Sequence, residues 1–144
     1  MLLCYSGGSF AQIEQNINKH LSTKNGLVND VVSSLYQDHD GYIWIGTQAG
    51  LQRYDGTRFK TYLADVRDTN ALQTDWISAI FEDSKHRLWI GTDHGAPYIL
   101  DRASGKFYNF NLSVPAKYKV NGTWRILEDH KGNIWIAGHE GYYK

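Results

Sequence analysis

Cysteine, proline and an excess of charge of either sign are what this chain of 144 residues has least of. Its single cysteine, Cys4, has no partner for an internal disulfide or a metal motif, which argues against redox chemistry. Lysine and arginine total 15 and aspartate and glutamate total 15, so the formal charge is zero. With no basic run, the sequence offers no electrostatic footprint for nucleic acid or for an anionic membrane. No stretch approaches the roughly 18 apolar residues of a membrane span. Aromatic residues, in contrast, are plentiful at 14%, with five tryptophans and ten tyrosines. Without interleaved basic residues they read as core and strand aromatics rather than base-stacking platforms.

The first residues, "MLLCYSGGSFAQ", form a short apolar start followed by small residues. Ser9 and Ala11 stand three and one before Gln12, the pattern of a secretory cleavage site, although a positively charged beginning is missing. Residues 1–11 are therefore expected to be a signal-peptide-like leader, with an unprocessed leader as the alternative, and residues 12–29 a lead-in segment. A lipoprotein reading through Cys4 is weaker, because Leu2 and Leu3 stand where small residues are wanted.

The remainder repeats itself. "DGYIWIGTQAG" (40–50) returns as "HRLWIGTDHG" (86–95) and "GNIWIAGHEG" (132–141), placing Trp44, Trp89 and Trp135 at intervals of 45 and 46 residues. Nine positions before each tryptophan lies an aliphatic residue (Leu35, Ile80, Ile126), six before it an aspartate (Asp38, Asp83, Asp129), and six after it a glycine (Gly50, Gly95, Gly141). A period in the mid-forties made of short strands is the size of a β-propeller blade. Each unit reads as strands separated by turn chemistry: "VVSSLYQD", "YIWIGT", then "LQRYD" or "PYILD", then "RFKTY" or "KFYNF". The expected fold is all-β, with propeller-type blades of four antiparallel strands: blade 1 over 30–66, blade 2 over 67–115 and a partial blade 3 over 116–144. The last is expected to stop after Tyr142 and Tyr143 without its third and fourth strands.

Alternation places Ile43 and Ile45 on one face of the second strand and Tyr42 and Trp44 on the other, so both faces are apolar and need cover. Trp44, Trp89 and Trp135 are the expected fillers between blades. Asp38, Asp83 and Asp129 open turns whose last member is Gly41, His86 or Gly132, a slot that calls for a positive φ. The carboxylate pair Asp38 and Asp40 superficially suits glycosidase chemistry. Recurrence of the acidic slot once per blade makes it a turn builder instead.

At this point the residues resemble a known family. "VVSSLYQDHDGYIWIGTQAGLQRYDGTRFKTY" is similar to the two-component regulator propeller repeat, found in the periplasmic sensor region of hybrid two-component systems of Bacteroides-type bacteria. The turn aspartate and glycine, the Trp-Ile-Gly-Thr, the Gly-Leu and the Tyr-Asp-Gly with its following Phe all fall at family positions. Two departures stand out: Gly95-Ala96-Pro97 replaces Gly-Leu in repeat 2, and Ala137-Gly138 replaces Gly-Thr in repeat 3. The resemblance implies a periplasmic sensor responding, directly or through partner proteins, to glycan breakdown products. It implies no enzyme activity in this chain, because no kinase, phosphoacceptor or DNA-binding segment is present in the 144 residues. A three-blade arc would expose apolar faces and edges, so either copies associate to close a ring or the chain is a truncated piece.

A ligand, if there is one, is expected on the rim opposite the aspartate turns. That rim would carry Gln48, Arg67, Asn70, Asp75, Trp76, Asp93, His94, Trp124, His139 and Glu140, where aromatic planes meet amides and carboxylates suited to an oligosaccharide. A periplasmic protein partner is the competing occupant, and the chain would then be an interaction scaffold. No cofactor is expected. No metal site is expected either: His94, His139 and Glu140 match no compact ligand spacing and would need adjacent blades to bring them together. An enzyme reading lacks a Ser-x-Asp-x-Gly-x-Thr-Trp box and any nucleophile–base pair.

Overall fold

In each repeat a β-branched and aromatic run ends at an aspartate turn, reverses, and returns as the Trp-Ile strand. The computed structural model describes residues 20–144; the signal-peptide-like leader, Cys4 and the start of the lead-in lie outside the described residues. Three antiparallel sheets follow in chain order. The first comprises β1 (Val32–Gln37), β2 (Ile43–Thr47), β3 (Gly50–Tyr54) and β4 (Phe59–Tyr62). The second comprises β5 (Ile77–Glu82), β6 (Leu88–Thr92), β7 (Tyr98–Asp101) and β8 (Lys106–Asn109), and the third β9 (Arg125–Glu128), β10 (Ile134–Gly138) and β11 (Gly141–Tyr143). Each sheet is an open meander in sequence order, the form of a propeller blade.

The third blade corrects the sequence reading in one respect. Its third strand exists, because Gly138 pairs with Gly141 and the two residues between them, His139 and Glu140, suffice to turn the chain. Register is the same in all three blades: Tyr36 faces Trp44, Phe81 faces Trp89 and Leu127 faces Trp135.

The blades stack through their first strands, β1 against β5 and β5 against β9. Trp44 is fully buried in a core shared by the first two blades, with Leu51, Leu72, Ile77, Ile80 and Leu88. Its ring stacks 5.8 Å from that of Tyr62. Trp89 does the same one junction later, beside Val120, Ile126 and Ile136, with Phe110 at 5.5 Å. Trp135 is only half-buried, because its face of blade 3 has no further described sheet against it; it packs on Tyr142 at 5.7 Å.

Two repeated polar ties join neighbouring blades, and a third braces each opening hairpin. At Ser33 and Ser78 the ladder slips by one residue, and the displaced serine hydroxyl donates to a carbonyl of the next blade, Ile77 O and Thr123 O respectively. An acid seven before the tryptophan reaches back to the previous turn: Glu82 accepts the His39 N–H at 2.8 Å, and Glu128 accepts the Ser84 N–H at 2.6 Å. Finally, the aspartate six before each tryptophan accepts its indole N–H, at 2.7 Å for Asp38, 2.8 Å for Asp83 and 2.9 Å for Asp129. Each aspartate also closes its own turn, Asp38 accepting the Tyr42 N–H at 2.9 Å and Asp129 the Asn133 N–H at 3.0 Å. His86 adopts φ +59° in the slot filled by glycine in the other two turns.

Close approach explains the glycine two positions after the tryptophan. A Cβ on Gly46 would lie 2.7 Å from Ile77 Cγ2, and one on Gly91 would lie 2.8 Å from Thr123 Cγ2 and 2.9 Å from Ala79 Cβ. The third repeat has Ala137 at this place, on the face of blade 3 that carries Trp135, where no further described sheet presses. Ala137 thus has a packing reason, and Gly138 has its own, since a Cβ there would lie 2.1 Å from Gly122 O.

The lead-in belongs to blade 1. Gln52, almost fully buried, accepts the Val28 N–H at 2.8 Å and donates to Gly26 O at 3.0 Å and Thr61 Oγ1 at 2.9 Å, seating Leu27 in the interior.

Candidate functional site

The two rims of the stack differ in what their side chains are doing. On the aspartate-turn rim the carboxylates are committed to the framework. Burial works against ionisation of Asp83, but the donors on Trp89 and Arg87 outweigh it and hold the carboxyl below its ordinary range. Burial likewise opposes Glu82, yet Arg102 and His39 hold it down. The Trp135 indole, with Asn133, keeps Asp129 well below the usual range. Arg102 gathers this rim, contacting Glu82, Asp40 at 3.3 Å and Asp38 at 3.7 Å. Since each folded pKa lies under the unfolded value of about 4, the stability these groups contribute is complete above that value and is lost as pH falls through the folded pKa. The expected melting temperature is therefore level from neutral pH down to about 5 and falls steeply below about 4, as circular dichroism melts across that range will check.

The opposite rim is built from the β2–β3, β6–β7 and β10–β11 turns and the connections between blades. Backbone bonds draw its parts together: Asp93 N–H to Trp76 O at 3.1 Å, Gly122 N–H to Gly95 O at 2.8 Å and Thr123 N–H to Thr92 O at 2.8 Å. Side chains from blades 2 and 3 then converge. The His94 ring lies 6.3 Å from that of Trp76 and 5.7 Å from that of His139, and the His139 ring lies 4.8 Å from that of Trp124. His94 Nδ1 sits 2.7 Å from Asp93 Oδ2, and His139 Nε2 donates to Asp93 O at 2.9 Å. His139 has a fixed seat over Gly122, where any Cβ would fall within 1.9 Å of its ring.

Of the ten rim residues singled out from sequence, five meet here: Trp76, Asp93, His94, Trp124 and His139. The other five have different surroundings. Arg67 is paired with Asp65, Asn70 bonds Asp68, and Asp75 accepts the Ala64 N–H at 2.7 Å, which fixes the connection between blades 1 and 2. Gln48 and Glu140 are exposed on their hairpin turns. Sequence reasoning passed over Asn121, which accepts the Gly95 N–H through its side chain and the His139 N–H through its carbonyl. Nothing in its local context distinguishes it.

Both tryptophans of the cluster occupy places that the framework fills otherwise in other blades. Trp124 stands where Ser33 and Ser78 tie their blades to the next, and Trp76 stands where the first repeat has Val31. They remain substantially exposed, at 56% and 41%.

The family model described as "Two component regulator propeller" matches residues 26–49 and again residues 71–94. The two matched stretches contain the opening hairpins of blades 1 and 2. Two crystal structures of the extracellular domain of one system from B. thetaiotaomicron, described as a one component and as a hybrid two component system, superpose on the repeats. Their TM-scores are 0.61 and 0.62, with 34% and 32% identity over 75% and 77% of this chain. A protein named Histidine kinase P4 from Formosa agariphila is 33% identical over 61 residues. PorZ of Porphyromonas gingivalis, at 17% identity and a TM-score of 0.59, shares the fold. The chain spans 15% of the two B. thetaiotaomicron domains and 4% of the histidine kinase. These repeats resemble a sensor propeller region and not a catalytic domain. Among the described residues no helix is long and apolar enough to cross a membrane.

Proposed function

We propose that this chain is part of the extracytoplasmic sensor region of a hybrid two-component system, and that its rim recognises a glycan-derived ligand without phosphotransfer of its own. The observation that carries the reading is the convergence of Trp76, His94, Trp124 and His139 with Asp93 on one rim. Indole faces suit the apolar face of a sugar ring, while a carboxylate and imidazoles suit its hydroxyls. None of the four rings lies in the buried cores between blades, and both indoles remain substantially exposed. Residues 1–11 act in this reading as a leader for export.

Calorimetric titration with a panel of neutral and acidic oligosaccharides, with a chelator present, tests the reading. One glycan class is expected to bind saturably, and Trp76→Ala and Trp124→Ala are each expected to weaken it about tenfold, the ~1.4 kcal/mol of one ring contact. Absence of heat from every glycan, or equal heat from the variants, overturns it.

A protein partner is the second reading, and it rests on a different observation. Tyr142 is 75% exposed beside the half-buried Trp135 on the outward face of blade 3, and Leu35 is 65% exposed on blade 1. Such faces suit association with further blades, including those of a second copy. Light scattering at micromolar concentration and co-purification with a periplasmic partner read this out independently of sugar binding.

A further inference from the structure

The rim cluster holds a donor set that glycan recognition does not require. Asp93, His94 and His139 each offer a ligand atom, and these atoms all lie within 4.8 Å of one another. We propose that the three form a site for a divalent transition-metal ion of the zinc or copper class, spanning the junction between blades 2 and 3. Two imidazoles and a carboxylate are the donors such ions select, and three protein ligands leave a coordination position open to solvent or ligand.

Several features favour an ion here over an ordinary polar patch. His94 and His139 come from different hairpins, so the cluster exists only because the blades are stacked. At the corresponding places the first repeat has Gln48 and Ala49, which cannot provide it; the cluster is therefore not a framework element. Among the described residues the Asp93 carboxylate contacts His94 and no lysine or arginine, so no resident cation competes. The other His–carboxylate group, His39, Glu82 and His86, is in the opposite situation. Arg102 already lies on Glu82, and Glu82 is the tie between turns.

Reaching coordination distances of about 2.0–2.1 Å requires only modest closure. His94, 78% exposed in its side chain, is free to swing, while His139 is seated and Asp93 is mostly covered. An ion taken up there replaces the His94–Asp93 hydrogen bond and pins the β6–β7 turn to the β10–β11 turn. Occupancy then fixes the spacing of the exposed Trp76 and Trp124 rings. The inference does not depend on sugar binding.

The test uses the whole chain, stripped of metal and titrated near neutral pH with zinc by calorimetry and with copper by tryptophan fluorescence. One zinc ion is expected per chain, and copper is expected to quench emission because Trp76 and Trp124 flank the site. His94→Gln and His139→Gln are each expected to weaken zinc at least about tenfold, with His39→Gln unchanged. His94 is exposed, so its variant retains the fold and carries the test even if His139→Gln does not. No saturable binding, undiminished affinity in His94→Gln, or an equal loss in His39→Gln overturns the proposal.

Discussion

Replacing Trp44 with alanine is expected to lower stability by about 3–5 kcal/mol, the range for deleting a buried aromatic ring. The ring is fully buried, stacked on Tyr62, and set between the first and second blades. Its removal also strips the indole donor from Asp38, which is itself buried and retains its turn bonds and the Arg102 guanidinium at 3.7 Å. A buried carboxylate that loses a donor adds to the cavity cost. For a domain of this size each kcal/mol lowers the melting temperature by roughly 4 °C, so a fall of ~12–20 °C is expected. Native stabilities run about 5–15 kcal/mol, and such a loss takes much of that margin.

The second large effect comes from adding atoms. Gly91→Val places a branched side chain where even a Cβ would lie 2.8 Å from Thr123 and 2.9 Å from Ala79. Those atoms belong to β5 and to the residue preceding the Trp124 bend, and neither is the loose end of a long side chain. Blades 2 and 3 must part or β6 must shift, at a cost of about 1–3 kcal/mol or more. Because the rim cluster needs those two blades in register, the same substitution is expected to weaken any ligand of Asp93, His94 and His139. Ala137→Val, at the equivalent place in blade 3, is expected to be neutral within about 0.5 kcal/mol. Melting curves of the two variants, recorded side by side, check the contrast.

Much of the framework was legible because it recurs. Spacing alone identified Trp44, Trp89 and Trp135 as fillers and Asp38, Asp83 and Asp129 as turn residues. What spacing could not say is that the two sets are bonded to each other, since a separation of six residues acquires meaning only once a hairpin folds it back. Ser33 and Ser78, and Glu82 and Glu128, also recur. Their partners, however, lie in the following or preceding blade, and inter-blade register is not written in a single repeat. The third strand of blade 3 was missed for a local reason: a two-residue turn at His139 and Glu140 looks like loop, and only Gly138 facing Gly141 makes it a hairpin.

The candidate site was legible in part. The loops of the proposed rim were identifiable as places where the repeats differ. That only five of ten residues meet follows from side-chain direction. His94 stands five residues after its tryptophan and His139 four after its own, so equal repeat positions do not predict which side chains touch. Arg67, Asn70 and Asp75 have the composition of a binding loop but spend their polar groups on their own connection.

The central claim is a division of labour: tryptophans that repeat at the blade period build the framework, and those that do not, Trp76 and Trp124, face outward, where the proposed ligand would meet them. Thermal melting of Trp44→Ala beside Trp124→Ala tests it most directly, because both changes remove an indole from the same chain. The account predicts that Trp44→Ala melts ~12–20 °C below the parent, while Trp124→Ala melts within about 2 °C of it, as expected for a surface substitution. Equal losses, or a larger loss in Trp124→Ala, would contradict it.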